Sequence, residues 1–246
     1  MFNFFRSRPK EPVKFCFHTD IHCHVVPGID DGAKTPESAA DLIERMQGWG
    51  IDRIIASPHV TQETFENSAA TIDPALVRLH AELASRGNGI DVSHSAEYRI
   101  DGLLSQRLAD NDIMPYPNDY LLIENSFLQE PWNIDELVFD LQVRGYKPIL
   151  AHPERYLYYH HRPERYKQLH DAGLALQINV LSLAGYYGAG EQKMARHLLK
   201  EGMVDFIGTD LHNSRHADSI DAYLRTSAAR ADMEALSACI KNDLVF

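Results

Sequence analysis

Two short segments near the ends of the chain carry the same chemistry: Asp20-Ile21-His22-Cys23-His24 and Asp210-Leu211-His212. In an extended strand alternate residues share a face, so His22 and His24 point the same way and can chelate one ion. Asp31 follows in the loop PGIDDGAK, whose glycines let the chain fold back. Between the two segments, His59 (ASPH), Glu97 (SAEY), Glu124 (LLIEN) and His152 (ILAHPER) each sit at the end of an apolar run. Each of these alone has an ordinary explanation, as an incidental His-x-His, a solvated glutamate or a hydrogen-bonded core histidine. Jointly they do not, because several carboxylates at the ends of apolar strands are costly to bury without a cation or a hydrogen-bond network. A donor set of His, Asp and Glu without cysteine suits manganese, iron or zinc. Nine candidate donors exceed what one ion uses, so two or three divalent ions are expected. Closely spaced ions sharing a carboxylate are the usual apparatus for transferring a phosphoryl group to water.

The elements that position these side chains alternate along the chain. Strands are expected at 13–21, 52–57, 91–98, 120–125, 147–152, 174–180 and 204–210. Helices are expected at 35–50, about 73–86, 133–145, 163–173, 191–202 and much of 219–240. The first helix is the best marked: Thr35 caps it, Pro36 takes the first position, and Ala39, Leu42, Ile43, Met46 and Trp49 share one face before Gly50. Strands separated by helices imply parallel pairing with crossovers, hence an α/β fold, and both an open doubly wound sheet and a closed barrel satisfy the pattern. Six of the seven expected strands finish in a histidine or carboxylate. In parallel α/β folds the C-terminal strand ends form one rim, where active sites assemble.

Bulk properties bound the reading further. The 246 residues, 44% hydrophobic and 24% charged, suffice for one substantial core, and no linker or repeat divides them. We therefore expect a tail over 1–12 and a single domain over 13–246. A net charge of −11 argues against nucleic acid as partner, while carboxylates that neutralise bound cations still permit an anionic substrate. Three cysteines, Cys16, Cys23 and Cys239, without paired spacing suggest a reducing compartment, with the cytoplasm as the expected location. No apolar run approaches the ~20 residues needed to span a bilayer, so no stable membrane insertion is expected.

With those residues in place, the chain resembles the PHP (polymerase and histidinol phosphatase) superfamily, and more narrowly the bacterial metal-dependent protein-tyrosine phosphatases of capsule and exopolysaccharide operons. The segments carrying the resemblance are DIHCHVVPGIDDGAKTPESA, ASPHV, the glutamates of SAEY and LLIEN, AHPERY and GTDLH. The resemblance implies a distorted (β/α)7 barrel with a trinuclear site, manganese first, with iron or zinc as alternatives. It assigns His22, His24, Glu97 and Asp210 to the first metal. Glu97 as bridge, Glu124 and His152 go to the second, and Asp31 (with Asp30 as fallback), His59 and His212 to the third. It implies that a hydroxide held between metals bridged by Glu97 attacks phosphotyrosine, on the tail of a tyrosine autokinase of polysaccharide export. A small-molecule phosphatase of histidinol-phosphate type and a non-catalytic, metal-stabilised regulator of the kinase are the competing readings.

The resemblance also suggests Arg155 as a phosphate-contacting arginine and Arg215 as a looser match for a second. Asp20 shares the face of His22 and is expected to orient a ligand histidine. Tyr158, in the aromatic run after His152, and Tyr187, in the loop after the sixth strand, are candidates for the wall of a substrate pocket. Other phosphatase and hydrolase chemistries find no support. A cysteine-based phosphatase needs arginine six positions after its cysteine, and positions 22, 29 and 245 hold His, Ile and Val. A Ser-His-Asp hydrolase lacks its G-x-S-x-G elbow.

Overall fold

The computed structural model describes residues 11–245; most of the expected tail, residues 1–10, lies outside the described residues. In chain order the elements are β1 (Thr19–Asp20), α1 (Pro36–Trp49), β2 (Arg53–Ala56), β3 (His59–Thr61), β4 (Phe65–Glu66), α2 (Ala69–Ser85), β5 (Asp91–His94), β6 (Glu97–Arg99) and α3 (Gly102–Asp110). They continue with β7 (Tyr120–Glu124), α4 (Ile134–Val143), β8 (Lys147–Ala151), α5 (Glu164–Asp171), β9 (Ala175–Asn179), α6 (Val180–Ala184), α7 (Ala189–Lys200), β10 (Phe206–Gly208), α8 (Ser214–Tyr223) and α9 (Ser227–Leu236).

Neighbouring strands pair in parallel in the order β1-β2-β5 and β3-β6-β7-β8-β9-β10, with β4 turning back antiparallel on β3. Only Ser57-Pro58 separates β2 from β3, and only Ser95-Ala96 separates β5 from β6. The two ladders are therefore successive parts of one course. A bridge between Cys23 and Leu211 brings the continuations of the first and last strands together. Hydrogen bonds from Asp210 N to His22 O (2.7 Å) and from His24 N to Leu211 O (3.0 Å) fasten it. The result is the distorted seven-fold α/β barrel expected, with its strand ends converging on one rim.

Alternation within the strands explains why they are apolar throughout. Ile21, Ile55, Leu122, Ile149 and Phe206 form one buried cluster. Their chain neighbours Ile54, Ile123, Leu150 and Ile207 join the larger cluster that includes the helices. A parallel sheet buried on both faces needs this pattern. Helix α1 forms as the sequence dictates. Thr35 Oγ1 accepts from Ser38 N, and Gly50 ends the helix at φ 104°, a left-handed conformation that costs glycine little.

The structure differs from the sequence expectations in several places. The second and third strands are each broken in two, the former at Pro58, which has no N–H to give the ladder. His59 and Glu97 therefore open strands β3 and β6 rather than end the preceding ones, and they stand opposite each other in register. Only Thr19–Asp20 of the expected first strand joins the ladder, while Phe15 and Phe17 pack into the core. Helix α2 begins at Ala69 rather than near 73, after the cap residue Ser68. Helix α3 was not expected; Asp101 caps it by accepting from Leu103 N and Leu104 N. The terminal helix is two, because Thr226 caps a second start through Ala229 N.

Candidate metal centre

All nine expected metal donors meet at the barrel rim. His22 and His24 flank the bridging Cys23 and so share a face, and Glu124 is the last residue of β7. His152 and Asp210 follow their strands in left-handed backbone, at φ 34° and 50°. Such strain in non-glycine residues persists where surrounding structure holds the side chain in place for a purpose.

Glu97, fully buried, is the hub. Its Oε2 lies 3.4 Å from His22 Nε2, 3.6 Å from His24 Nε2 and 2.9 Å from His59 Nδ1, and its Oε1 lies 3.0 Å from His152 Nε2. Asp210 Oδ1 lies 3.5 Å from His22 Nε2 and 3.4 Å from His24 Nε2. Asp31 Oδ1 faces His59 Nε2 at 3.5 Å and His212 Nε2 at 3.4 Å. Four overlapping sets gather metal-type donors within 4.8 Å of one another: His24-Asp31-His59-His212, His22-Glu97-His152, His22-His24-Asp210 and His59-Glu97-Glu124. Glu97 belongs to two of them, as a bridging carboxylate must.

Buried polar atoms elsewhere in folded proteins find partners. Here His22 Nε2, His24 Nε2, His59 Nδ1, Glu97 Oε2, Glu124 Oε2 and His152 Nδ1 are buried without an aligned hydrogen bond among the described residues. All six residues belong to the donor sets, and the chemistry of the sets fits divalent ions of the manganese, iron or zinc type.

Three of the histidines have the opposite nitrogen fixed. His22 Nδ1 meets Gln177 Oε1 at 2.7 Å, His24 Nδ1 meets Asp30 Oδ2 at 2.8 Å, and His212 Nδ1 meets the Asp210 carbonyl at 2.9 Å. These contacts set ring orientation and free the other nitrogen for a ligand. Asp30, also bonded to Gly32 N, is thus a support for His24, and Asp31 is the acid that faces the donor set. Gly208 is required by close approach, since a Cβ there would lie 2.5 Å from His22 Cβ. Gly208→Ala is expected to push His22 aside and weaken metal retention about 10–100-fold, read by competition with a chromogenic chelator.

Charge in the cluster shifts its protons strongly. Burial alone would lower His22, but Glu97 and Asp210 outweigh it and lift it to about 9. His59 rises in the same way, against burial and chiefly through Glu97, to about 10. Burial pulls the opposite way on Glu97 and Asp210 too, yet the surrounding histidines hold both carboxyls well below their usual range. The raised histidines stabilise the metal-free fold below their unfolded pKa, and that contribution fades as pH climbs through about 9 to 10. The depressed carboxylates contribute above their unfolded pKa and lose their effect on acidification. At neutral pH, His22 and His59 are protonated before metal enters, and ligation requires them neutral. Glu124, lifted to about 8 by burial and by Glu97, must lose a proton as well, so metal binding at pH 7 is expected to release roughly three protons, seen as a dependence of calorimetric heat on buffer ionisation enthalpy.

Above the donors lies a cavity of about 440 Å³, lined among others by Arg99, Phe127, Arg155, Tyr187, His212 and His216. Arg155 is held here: its Nη1 donates to Asp210 Oδ2 at 3.0 Å, and its Cζ lies 4.1 Å from the Tyr187 ring centroid and 4.8 Å from that of Phe127. The Tyr187 hydroxyl donates to the same Asp210 oxygen at 3.2 Å. Arg155 and Tyr187 therefore both line the cavity.

Three expectations need correction. Arg215 lies in the first turn of α8, exposed and outside the cavity lining. Tyr158 turns its hydroxyl to the Ser126 carbonyl, 3.0 Å away, and does not reach the cavity. Asp20 touches no histidine ring: its Oδ2 accepts from Thr209 Oγ1 at 2.5 Å and its Oδ1 from His22 N and Thr209 N, tying β1 to the end of β10. Ring orientation of His22 falls to Gln177 instead. Among the residues missed, Arg99 carried a signal, since it lies two positions after Glu97 on one strand and so shares its face. Phe127 and His216 come from loop and helix start, where no periodicity announces them.

Fold and donor set together define an α/β barrel of PHP type whose rim gathers residues that could hold metal ions. The chain belongs to the capsular polysaccharide synthesis family CpsB/CapC, whose model matches residues 18–236. It is 34% identical over 196 residues to the tyrosine-protein phosphatase YwqE of Bacillus subtilis (strain 168), covering 79% of this chain and 77% of that protein. It is 29% identical over 201 residues to the tyrosine-protein phosphatase CpsB of Streptococcus agalactiae serotype V, covering 79% and 82%. Among solved structures it is similar to one of a pair, YwqE from Bacillus subtilis and CpsB from Streptococcus pneumoniae, described as unique metal-dependent tyrosine phosphatases. The match has a TM-score of 0.78 and 28% identity over 92% of this chain and 93% of that one. An amidohydrolase from Mycoplasma synoviae, 11% identical at a TM-score of 0.59 over 95% and 88% of the two chains, shares the fold.

Proposed function

We propose that this protein is a metal-dependent protein-tyrosine phosphatase, hydrolysing phosphotyrosine to tyrosine and inorganic phosphate at the barrel rim. One observation carries the reading: buried donor atoms of His22, His24, His59, Glu97 and Glu124, without aligned hydrogen bonds among the described residues, converge beneath a cavity that also presents Arg155. The likeness to the phosphatases YwqE and CpsB supports it. Two or three ions, manganese before iron or zinc, would be held by His22, His24, Glu97 and Asp210, by Glu97, Glu124 and His152, and by Asp31, His59 and His212. Bound there, such ions supply positive charge for phosphoryl oxygens and lower the pKa of water.

The chain's own residues do the remaining work. Arg155 binds phosphoryl oxygens through guanidinium N–H donors, held in place by Asp210 and by the faces of Tyr187 and Phe127. Water attacks phosphorus in line as the bond to the tyrosine oxygen breaks, and the proton that the water gives up is balanced by the one that the phenolate takes, leaving tyrosine and hydrogen phosphate. A phenol has a pKa near ~10, so its departure needs little help from an acid. The physiological substrate is a tyrosine-phosphorylated protein, the tail of a kinase of polysaccharide export. Three free cysteines support a reducing, cytoplasmic location, and no helix among the described residues is long and apolar enough to cross a membrane.

The test is phosphate release by the metal-loaded protein from phosphotyrosyl peptide, phosphoseryl peptide and histidinol phosphate. Selective hydrolysis of the first is expected. Preference for histidinol phosphate would move the substrate to a small molecule. No hydrolysis by a folded, loaded sample would leave a non-catalytic regulator.

A further inference from the structure

We infer that Arg99 is a second phosphoryl-binding guanidinium of the cavity, acting beside Arg155. The inference rests on the phosphatase reading above. A phosphomonoester presents three non-bridging oxygens, and one guanidinium fork engages at most two. The residue that the sequence offered as a second arginine, Arg215, is exposed on α8 and does not line the cavity. Arg99 lines it.

Strand geometry puts Arg99 there. In β6 it lies two residues beyond Glu97 and so extends from the same face of the sheet, one step further toward the rim. Its Nη2 lies 3.0 Å from Glu124 Oε2 and its Nη1 donates to the Asn125 carbonyl at 3.0 Å. The first is an ion pair without an aligned hydrogen bond and the second a hydrogen bond, so most of the five N–H donors that a guanidinium carries stay uncommitted. Its Nε is buried without a hydrogen-bond partner among the described residues. The side chain is 24% exposed, so the head is neither sealed in the core nor free in solvent.

Arg99 and Arg155 also share a support. Their Cζ atoms lie 5.5 and 4.8 Å from the centroid of the same Phe127 ring. Attraction to an aromatic ring holds a guanidinium in place without consuming its hydrogen-bond donors. Two cations positioned in this way, over a floor of carboxylates, suit a dianionic ligand with a planar aryl group attached.

The experiment compares Arg99→Ala, Arg99→Lys and Arg215→Ala in metal-reconstituted full-length protein. Three quantities are read: bound metal by elemental analysis, Kd of inorganic phosphate by calorimetry, and kcat and KM for a phosphotyrosyl peptide. Arg99→Ala is expected to weaken phosphate binding about 10–100-fold and raise KM by a similar factor at unchanged metal content. Arg99→Lys, which keeps the charge but not the fork, falls between. Arg215→Ala moves neither constant. Phosphate affinity and KM within about twofold of wild type for Arg99→Ala would overturn the inference. So would loss of metal from both Arg99 variants, since Arg99 would then serve only as the counter-ion of Glu124. Phosphate binding separates this outcome from the phosphatase reading. A wild type that binds phosphate through Arg99 but leaves phosphotyrosyl peptide intact refutes that activity and not the anion site.

Discussion

Glu97→Gln should reduce phosphotyrosine hydrolysis at least about a thousandfold, because even an outer partner of a metal ligand is worth ~10–100-fold. Glu97 approaches four histidines of the cluster, His22, His24, His59 and His152. An amide is close to isosteric but brings no charge, so the shared carboxylate of two donor sets is lost at once. Elemental analysis should show at least one ion fewer per chain. The variant also tests the proton balance, because Glu97 is the main force lifting His22 and His59. Without it, metal uptake at pH 7 should release fewer protons than in wild type. Chelator-treated Glu97→Gln should melt below chelator-treated wild type, since removing one partner from a buried ionic cluster costs about 3–5 kcal/mol. Full metal content with full activity would mean that Glu97 is a structural carboxylate only.

The second large effect belongs to Arg155. Arg155→Ala should lower kcat/KM about 10²–10³-fold, the range found when a preorganised donor to developing charge is removed. Because Arg155 touches the rim through the Asp210 oxygen Oδ2, while the histidines face Oδ1, metal content should stay near wild type. That separation distinguishes the variant from Glu97→Gln, in which ions and activity fall together. Arg155→Lys should recover only part of the loss, because an ammonium neither forks onto two oxygens nor stacks on Tyr187 as a planar guanidinium does. Equal losses of metal in Arg155→Ala and Glu97→Gln would show that Arg155 holds the centre together rather than binding substrate.

The residues of the His/Asp/Glu cluster were legible because strand physics arranges them. Alternation gave His22 and His24 a common face, and apolar strands that end in ionisable residues leave those residues nowhere to go but the rim. The barrel followed from the order of strands and helices together with the family motifs. What the sequence hid was mostly outside this logic. Breaks at Ser57-Pro58 and Ser95-Ala96 let His59 and Glu97 lead their own short strands, and the shared-face argument survived only because both stayed in register. Arg215 and Tyr158 were placed by proximity along the chain, which says little about where a helix start or a tight turn aims a side chain. Asp20 alternated correctly with His22, yet the nearer hydroxyl of Thr209 captured its carboxylate. Arg99 was readable from the same alternation, two residues beyond Glu97 on one strand.

The most direct test strips the protein with chelator, verifies its fold, and returns Mn²⁺, Fe²⁺ or Zn²⁺ in steps while bound ions per chain and phosphate release from a phosphotyrosyl peptide are measured together. Hydrolysis should be absent in the stripped protein and return as a second ion per chain is bound, because Glu97 joins two donor sets. Undiminished hydrolysis by a sample proven free of metal, or none from a folded and fully loaded one, would contradict a metal-dependent phosphatase at this rim.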